Sequence, residues 1–207
     1  MCSDEKTGIQ ATEHKNPSKP MKRGEVEKIE QEYIRNGTTG LIASRNVCTG
    51  EIIAPLIQPT RTEFDFVEHI HAVVDLSPTS KYIFVMDQLN THKSESLVRL
   101  IAQRCNIDEA TLGIKDKCGI LKNMDTRAAF LADKSHDIRI VYTPKHSSWL
   151  NQIECWFSII TRRFLNKRAS FKSVEELEKG IQRFIEFYNE HMAKPFKWTY
   201  SGKLLHV

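Results

Sequence analysis

The hydrophobic stretch YIFVM, residues 82–86, is the feature that most constrains the fold. A strand that is hydrophobic on both faces needs cover from two sides, which is typical of a central strand in an α/β layer with helices on each face. The stretch ends at Asp87, and Asn90 and His92 follow within five residues. Either Asp87 closes the strand and caps the next turn, or the strand holds a functional carboxylate in place.

Hydrophobic spacing in the rest of the chain predicts further helices and strands. Residues 39–47 and 51–57 are expected to form a hairpin, and a short strand at 138–142 stops before Pro144. Helices are predicted after Thr62, after Ser94, from Ser148 and after Ser173, the last with Glu176 in a capping-box position. The predicted order is a strand stub, a hairpin, a helix, a strand, a helix, a strand and two helices. This order indicates an α/β fold with a mixed sheet.

The length and composition predict a single domain over residues 1–207. Of the 207 residues, 40% are hydrophobic and 27% are charged, a mixture that can bury one sizeable core. Two stretches interrupt the regular pattern. Residues 11–32 are polar with two prolines and indicate a long surface excursion, whereas residues 106–137 indicate an inserted irregular segment broken by glycines.

The sequence also excludes some classes of protein. No hydrophobic run approaches the roughly 20 residues that cross a bilayer, and the start MCSDEKTGIQ lacks a secretory pattern, so no membrane contact and a cytoplasmic location are expected. The five cysteines are widely spaced and form no C-x-x-C pair, which argues against a disulfide framework or a thiolate zinc site. The net charge of +4 suits a polyanionic partner where basic residues cluster, as they do at 162–168.

Three carboxylates are candidates for one site. Asp87 follows a predicted strand, Asp4 would follow another if residues 1–3 are its tail, and Glu154 lies on the helix after the strand 138–142. Clustered carboxylates repel one another unless cations neutralise them, and hard oxygen ligands select Mg²⁺ or Mn²⁺. A pair of such ions supports nuclease and strand-transfer chemistry. The alternative is that Asp87 is a turn residue, Glu154 a solvated helix residue and Asp4 an ordinary surface residue.

Several motifs resemble the catalytic domain of IS630-family transposases, which are relatives of the mariner group. The matching stretches are SDEKTGIQA, EYIRNGTTGLIA, TGEI, FVMDQLNTHKS, YTPKHSSWLNQIECWFSIITRRFL and YNEHMAKPFKWTYSGK. The resemblance implies a retroviral-integrase-like (RNase H-like) fold with a DDE triad, here Asp4, Asp87 and Glu154, which would also be the metal ligands. Glu5 is the nearest rival for the first position, but successive residues of a strand face opposite sides, which favours Asp4.

The chain departs from the family pattern in two places. Asp87 and Glu154 are 67 positions apart, more than is usual in the family, and the segment 106–137 accounts for the excess. Only three residues precede Asp4, so the first strand is expected to be truncated, and the N-terminal helix-turn-helix domains of full-length relatives are absent from this sequence.

Residues around the proposed triad have alternative interpretations. Asn151 shares a helix face with Glu154 and either orients it, contacts DNA or bonds the helix terminus. His92 and His146 are predicted to be surface or locally bonded side chains rather than ligands. Trp149 and Trp156 either stack on splayed bases or, as helical spacing favours, pack in the core. The basic residues that either bind phosphates or form a solvated face are Arg162, Arg163, Lys167 and Arg168.

The leading hypothesis is therefore a transposase catalytic domain that uses Mg²⁺ or Mn²⁺, with two ions expected, to cleave DNA ends and join them to target DNA. The resemblance further implies a homodimer on paired transposon ends, and nucleoid association when DNA is bound. One alternative is a catalytically silent fragment that only binds DNA or a partner subunit. Another is a host nuclease of the same fold that performs no strand transfer.

Overall fold

A mixed five-stranded sheet organises the chain in the computed structural model, which describes residues 1–166 and 168–197. The spatial order of the strands is β3-β2-β1-β4-β5. The strands in chain order are β1 Cys2–His14, β2 Tyr33–Arg45, β3 Ile52–Gln58, β4 Tyr82–Met86 and β5 Ile138–Tyr142. Strand β2 is antiparallel to both of its neighbours, β1 and β3, and β4 is parallel to both of its neighbours, β1 and β5. The predicted α/β fold with a mixed sheet is confirmed.

Strand β1 is much longer than the predicted stub, because it continues past Asp4 for ten residues as the partner of β2. Its polar sequence gave no hydrophobic pattern that would have revealed it. With β4 it shares a single parallel pair, Cys2 with Val85, and the Val85 N–H donates to the Met1 carbonyl over 2.8 Å. The expected truncation of the first strand is therefore wrong, because β1 runs over 13 residues, and Asp4 lies near the beginning of this strand rather than at its end.

Residues 15–32 connect β1 to β2 as a largely exposed ribbon, whereas residues 11–14 of the predicted surface excursion 11–32 belong to β1, where Ala11 is buried. Two isolated bridges, Lys19 with Lys28 and Lys22 with Glu25, continue the antiparallel pairing toward the tip. The predicted hairpin is also confirmed, as β2 and β3.

Five α-helices accompany the sheet in the described residues. They are α1 Glu63–Asp75, α2 Glu95–Arg104, α3 Met124–Leu131, α4 Gln152–Arg163 and α5 Val174–His191. The predicted N-caps Thr62, Ser94 and Ser173 each accept a hydrogen bond from the third helical N–H. The second half of the capping box at Ser173 does not form, because the Glu176 carboxylate accepts from the Lys172 N–H instead.

The helices form two separate hydrophobic layers. Helices α1, α2 and α3 pack with β4 and β5 around Phe66, Phe84 and Ile101, and α4 and α5 pack with β1 and β2 around Trp156 and Ile181. Strand β4 is consequently covered well on one face only, since Tyr82, Phe84 and Met86 are buried while Ile83 is 46% exposed. The expectation of helices over both faces of this strand is met in part: Val85 packs against the layer of α4 and α5, whereas Ile83 stays exposed because these helices lie mainly over β1 and β2.

The segment 106–137 is ordered rather than irregular. It contains α3 and two short 3-10 turns, Glu109–Thr111 and Ile120–Lys122. Leu112, Leu121 and Leu131 have no exposed surface and join the hydrophobic core beneath α2. The glycines that suggested irregularity serve a tight turn: a Cβ on Gly113 would lie 2.3 Å from the Cys118 carbonyl oxygen. The insertion is an integral part of the domain.

The residues after α5 dock against the β2–β3 turn. An Arg45 terminal nitrogen donates to the Lys194 carbonyl over 3.4 Å, and the Phe196 N–H donates to the Val47 carbonyl over 3.4 Å. The contact is close at Gly50, where a Cβ would lie 2.0 Å from the Lys194 carbonyl oxygen. Trp198, also part of the predicted tail motif, lies outside the described residues. Among the described helices, none has both the length and the hydrophobicity to cross a bilayer.

If the insertion belongs to the core, removing one of its buried leucines should destabilise the whole domain. Leu121→Ala is expected to lower the free energy of unfolding by about 2 to 5 kcal/mol, because it leaves a cavity in a packed core. Ile114→Ala is the matched control, since Ile114 is 57% exposed in the same segment. Urea unfolding followed by circular dichroism measures both variants. Equal midpoints for Leu121→Ala and the wild type would contradict the core assignment.

Candidate active site

The site lies where β4 ends and β1 continues. Cys2 pairs with Val85, so Asp4 and Asp87, each two residues further along its strand direction, come to lie side by side. Oxygen atoms of Asp4 and Asp87 and a ring nitrogen of His92 lie within 4.8 Å of one another. The short parallel contact between the two strands thus assembles two of the three predicted carboxylates.

Asp4 is held in a buried position. Only 6% of the residue is exposed, and its Oδ1 accepts a hydrogen bond from the Glu5 N–H over 2.8 Å. The Asn151 side-chain amide donates to its Oδ2 over 3.4 Å. Burial raises the pKa of Asp4 to about 8, because desolvation disfavours the carboxylate form. At neutral pH, without an added cation, this carboxyl group retains its proton.

His92 joins Glu5 to Asp87. Its Nε2 lies 3.0 Å from Glu5 Oε2 and its Nδ1 lies 2.8 Å from Asp87 Oδ1, and the histidine side chain is fully buried. Burial by itself would lower the pKa of His92, but the hydrogen bonds with Asp87 and Glu5 raise it to about 10. The ring is therefore an imidazolium that donates from both nitrogens.

The pKa values of the two carboxylates beside His92 shift in the opposite direction, downward. The hydrogen bond from His92 lowers the pKa of Asp87. Burial would raise the pKa of Glu5, yet the hydrogen bond and charge of His92 outweigh it and the pKa is lowered. Glu5 also accepts from the Thr91 hydroxyl over 3.3 Å. Because its oxygens are occupied by His92 and Thr91, Glu5 is a poorer candidate for a metal ligand than Asp4.

Asp87 closes the turn after β4 and also faces His92, and its role as a functional carboxylate stays a prediction. Its Oδ1 accepts from the Leu89 N–H over 2.9 Å, which is the turn-closing role. The same oxygen faces His92. Among the described residues, the side-chain hydrogen bonds of Asp87 involve Oδ1, which leaves Oδ2 to a further partner.

Glu154 is near the other two carboxylates but not among the tightly clustered atoms. It lies in the first turn of α4 and is half-buried. Burial raises its pKa, the charge of Lys6 lowers it, and the charge of Asp87 raises it. The effect of the Asp87 charge on the pKa of Glu154 indicates that the two groups face a common region. The structure brings Asp4 and Asp87 together and leaves Glu154 at the rim.

The side chain of Asn151 contacts Asp4 rather than Glu154. The side chain is fully buried, and its amide donates to the Ser3 carbonyl over 2.9 Å as well as to Asp4. It makes no side-chain cap bond to α4. The Asn151 carbonyl accepts from the Glu154 N–H over 3.1 Å at the start of α4, which is the predicted bond at the helix terminus, while the buried side chain reaches across to β1. Contact of Asn151 with DNA stays a prediction.

The basic residues at 162–168 have different surroundings in the structure. Arg162 and Arg163 are exposed at the end of α4 and form no ion pair among the described residues. Arg168 forms an ion pair with Glu27 of the β1–β2 ribbon, which reduces its availability to a phosphate. Lys167 lies outside the described residues. Two arginines thus remain as candidates for phosphate contact.

The two tryptophans also separate. Trp156 is fully buried in the layer of α4 and α5, as helical spacing predicted. Trp149 is 71% exposed, because it lies in a 3-10 turn, Ser148–Leu150, that precedes α4 and does not continue its hydrophobic face. The core assignment of Trp149 is wrong.

His92 and Glu5 are the residues that sequence reasoning undervalued. His92 was expected at the surface or in a local bond, and it forms the local bond to Asp87 while being fully buried. Glu5 was considered only as a rival of Asp4. The sequence signal for His92 was weak. His92 follows Asp87 by five residues, and this spacing allows its imidazole ring to contact the Asp87 carboxylate. No local pattern indicates that Glu5, 87 positions away, completes the bridge. His146 is exposed, in agreement with the sequence.

The pKa shifts predict that the protein loses stability as the pH rises from 6.5 to 9. His92 has a raised pKa, so its contribution is complete below about 6.5 and declines as the pH rises toward 10. Asp4 also has a raised pKa, so its ionisation between about 4 and 8 costs the folded state further stability. Asp4→Asn should remove the second contribution and flatten the profile below pH 8. Urea unfolding at several pH values, without divalent ions, measures this, and a wild-type profile that is flat or rising would contradict it.

Comparison with known proteins agrees with the geometry. The family described as DDE superfamily endonuclease matches residues 1–178, which is most of the chain and includes Asp4, Asp87 and Glu154. No curated protein and no solved structure matches the chain. With a mixed sheet flanked by helices and paired carboxylates at the end of β4, the chain belongs to the DDE superfamily of endonucleases, as a transposase-type nuclease domain of RNase H-like fold.

Proposed function

We propose that this chain is the catalytic domain of an IS630-type transposase that cleaves DNA and joins the freed 3′ hydroxyl to target DNA, with Asp4, Asp87 and Glu154 as its triad. The observation that carries the proposal is the pairing of Asp4 with Asp87 at the junction of β1 and β4, inside a chain of the DDE superfamily. Glu154 completes the set from α4. Asp4 takes the first position because Glu5 is engaged by His92.

The donor set fits Mg²⁺ or Mn²⁺. The candidate ligands are carboxylate oxygens, which these hard cations prefer. The raised pKa of Asp4 fits as well, since a buried carboxyl group without a cationic partner keeps its proton, and a nearby cation favours its ionised form. When bound, two divalent ions supply an activated water and stabilise the leaving oxygen of a phosphodiester.

The chain's own residues keep the carboxylates in place. Asn151 and the Glu5 N–H hold Asp4, while His92 and the Leu89 N–H hold Oδ1 of Asp87 and leave Oδ2 toward the site. Such fixed side chains reduce the reorganisation that metal and substrate binding would otherwise require. Glu154, half-buried at the rim, is the carboxylate with the most room to move inward.

A DNA-binding role without cleavage is the alternative. This alternative is favoured by the position of Glu154, because its carboxylate is not among the side-chain atoms that lie within 4.8 Å of one another. Arg162 and Arg163 would bind phosphates in either case. The homodimer on paired DNA ends remains a prediction of the resemblance.

Asp87→Asn should abolish metal-dependent DNA cleavage while the fold persists. The amide is neutral and removes most of the affinity for a hard cation, and loss of at least about 100-fold in the cleavage rate is expected, as for other groups that stabilise a transition state. The assay scores nicked and joined products on element-end DNA with Mg²⁺ or Mn²⁺. Asp137→Asn is the matched control, because Asp137 precedes β5 at the opposite edge of the sheet and is exposed.

Full cleavage by Asp87→Asn would refute the triad. Binding of DNA by the wild type without any metal-dependent nick would favour the silent alternative, and nicks without joined products would favour a nuclease that performs no strand transfer.

Mn²⁺ should stabilise the wild type against thermal unfolding. A ligand that binds only the folded state adds about 2.7 kcal/mol at a free concentration 100 times Kd. Asp4→Asn and Asp87→Asn should lose most of this gain, because each removes a carboxylate ligand, whereas Asp137→Asn should keep it. Differential scanning fluorimetry at pH 7.5 with increasing Mn²⁺ measures the shift. A shift of equal size in all four proteins would show that the cation binds elsewhere.

A further inference from the structure

Trp149 stands exposed at the edge of the candidate active site. It lines an open groove of about 410 Å³ together with Glu154, Cys155, Ser158, Ile159 and Arg162. An exposed tryptophan in a groove with a proposed catalytic carboxylate differs from a scattered surface residue, because concave hydrophobic surface with a few polar groups is typical of binding sites.

The groove follows the exposed face of α4. Glu154 lies in the first turn of this helix and Arg162 in the last. Eight residues of α-helix separate them, a rise of about 12 Å. Ser158 lies between them, and its carbonyl accepts from the Arg162 Nε over 3.3 Å, which holds the guanidinium against the helix. The groove therefore connects the acidic site to a fixed positive charge.

The charge at the far end is suited to an anion. Among residues 1–166 and 168–197, neither Arg162 nor Arg163 has a carboxylate partner. Both arginines line a second cavity of about 280 Å³ with Ile159 and Met192, which continues the first groove through Ile159 and Arg162. Arginine binds phosphate oxygens through its planar set of donors. A phosphodiester chain that passes Glu154 would meet these side chains next.

We propose that this groove binds an unpaired nucleotide of the DNA substrate, with its base stacked on Trp149 and its phosphate paired with Arg162. The inference rests on the proposed function, since it takes DNA as the substrate. The base must be unpaired, because the faces of a base within a duplex are covered by its neighbours, whereas a splayed base offers a free face to an aromatic ring. Stacking on Trp149 is independent of sequence, because every base has such a face.

Fluorescence anisotropy with a labelled single-stranded oligonucleotide and a duplex of the same sequence tests the proposal. EDTA in the buffer separates binding from cleavage. Trp149→Ala is expected to weaken single-strand binding by between about 5-fold and about 100-fold, the range for loss of one stacked base, and to affect duplex binding much less. Trp149→Phe should restore most of the affinity. Arg162→Ala should weaken binding to both DNA forms and reduce the salt-dependence slope by about one.

Phe64→Ala is the matched control. Phe64 is 68% exposed, on α1 in the opposite hydrophobic layer, so its loss should leave both affinities unchanged. Wild-type affinities in Trp149→Ala, or equal losses in Trp149→Ala and Phe64→Ala, would overturn the proposal. A wild type that binds no single-stranded DNA would overturn it as well.

A change in oligomeric state in Trp149→Ala with unchanged DNA affinity would assign the groove to a second copy of the chain and would also reject the nucleotide. These results are independent of the cleavage test. Loss of single-strand affinity in Trp149→Ala combined with full cleavage by Asp87→Asn would support the groove and refute the triad, and the reverse combination would do the opposite.

Discussion

One parallel residue pair, Cys2 with Val85, positions the candidate active site. It joins the antiparallel unit β1-β2-β3 to the parallel unit β4-β5 and brings the beginning of one strand beside the end of another. Two backbone bonds reinforce it, from the Val85 N–H to the Met1 carbonyl and from the Met1 amino group to the Ile83 carbonyl, each 2.8 Å long. Because Asp4 and Asp87 each follow this pair by two residues, a shift of one residue in register would separate the carboxylates and turn one of them to the other face of the sheet.

Local sequence patterns predicted much of the fold. Strand β4, the β2–β3 hairpin and the N-caps Thr62 and Ser94 depend on residues close in the chain, and the structure contains each of them. The length of β1 was missed because its sequence, CSDEKTGIQATEH, alternates poorly and is stabilised by pairing with β2 rather than by its own side chains. The segment 106–137 was predicted to be irregular because glycines break its pattern. Its three buried leucines, spaced about ten residues apart, all reach one core.

The candidate site was predictable only in part, because it depends on contacts between residues that are distant in the chain. Asp4, Asp87 and Glu154 were candidates from their places at predicted strand ends and on a predicted helix, and the resemblance assigned all three to a triad. The buried bridge from Glu5 through His92 to Asp87 joins residues 87 and 5 positions apart, and no spacing rule connects the first pair. Trp149 was assigned to the core because it extends the helical spacing of α4 backward, yet the helix begins only at Gln152. Tertiary contacts and helix boundaries, rather than residue types, decided these positions.

The bridge at His92 also determines how the site meets an anion. The acidic side chains Asp4, Glu5 and Asp87 lie around one imidazolium, with Glu154 at the rim, so full ionisation of all four would give the site three uncompensated negative charges. A phosphodiester carries negative charge and is repelled by such a pocket. Two divalent ions would reverse the sign of this field and leave a single positive charge. Under the proposed function, cation binding would therefore have to precede or accompany the arrival of the nucleic acid at the acidic residues.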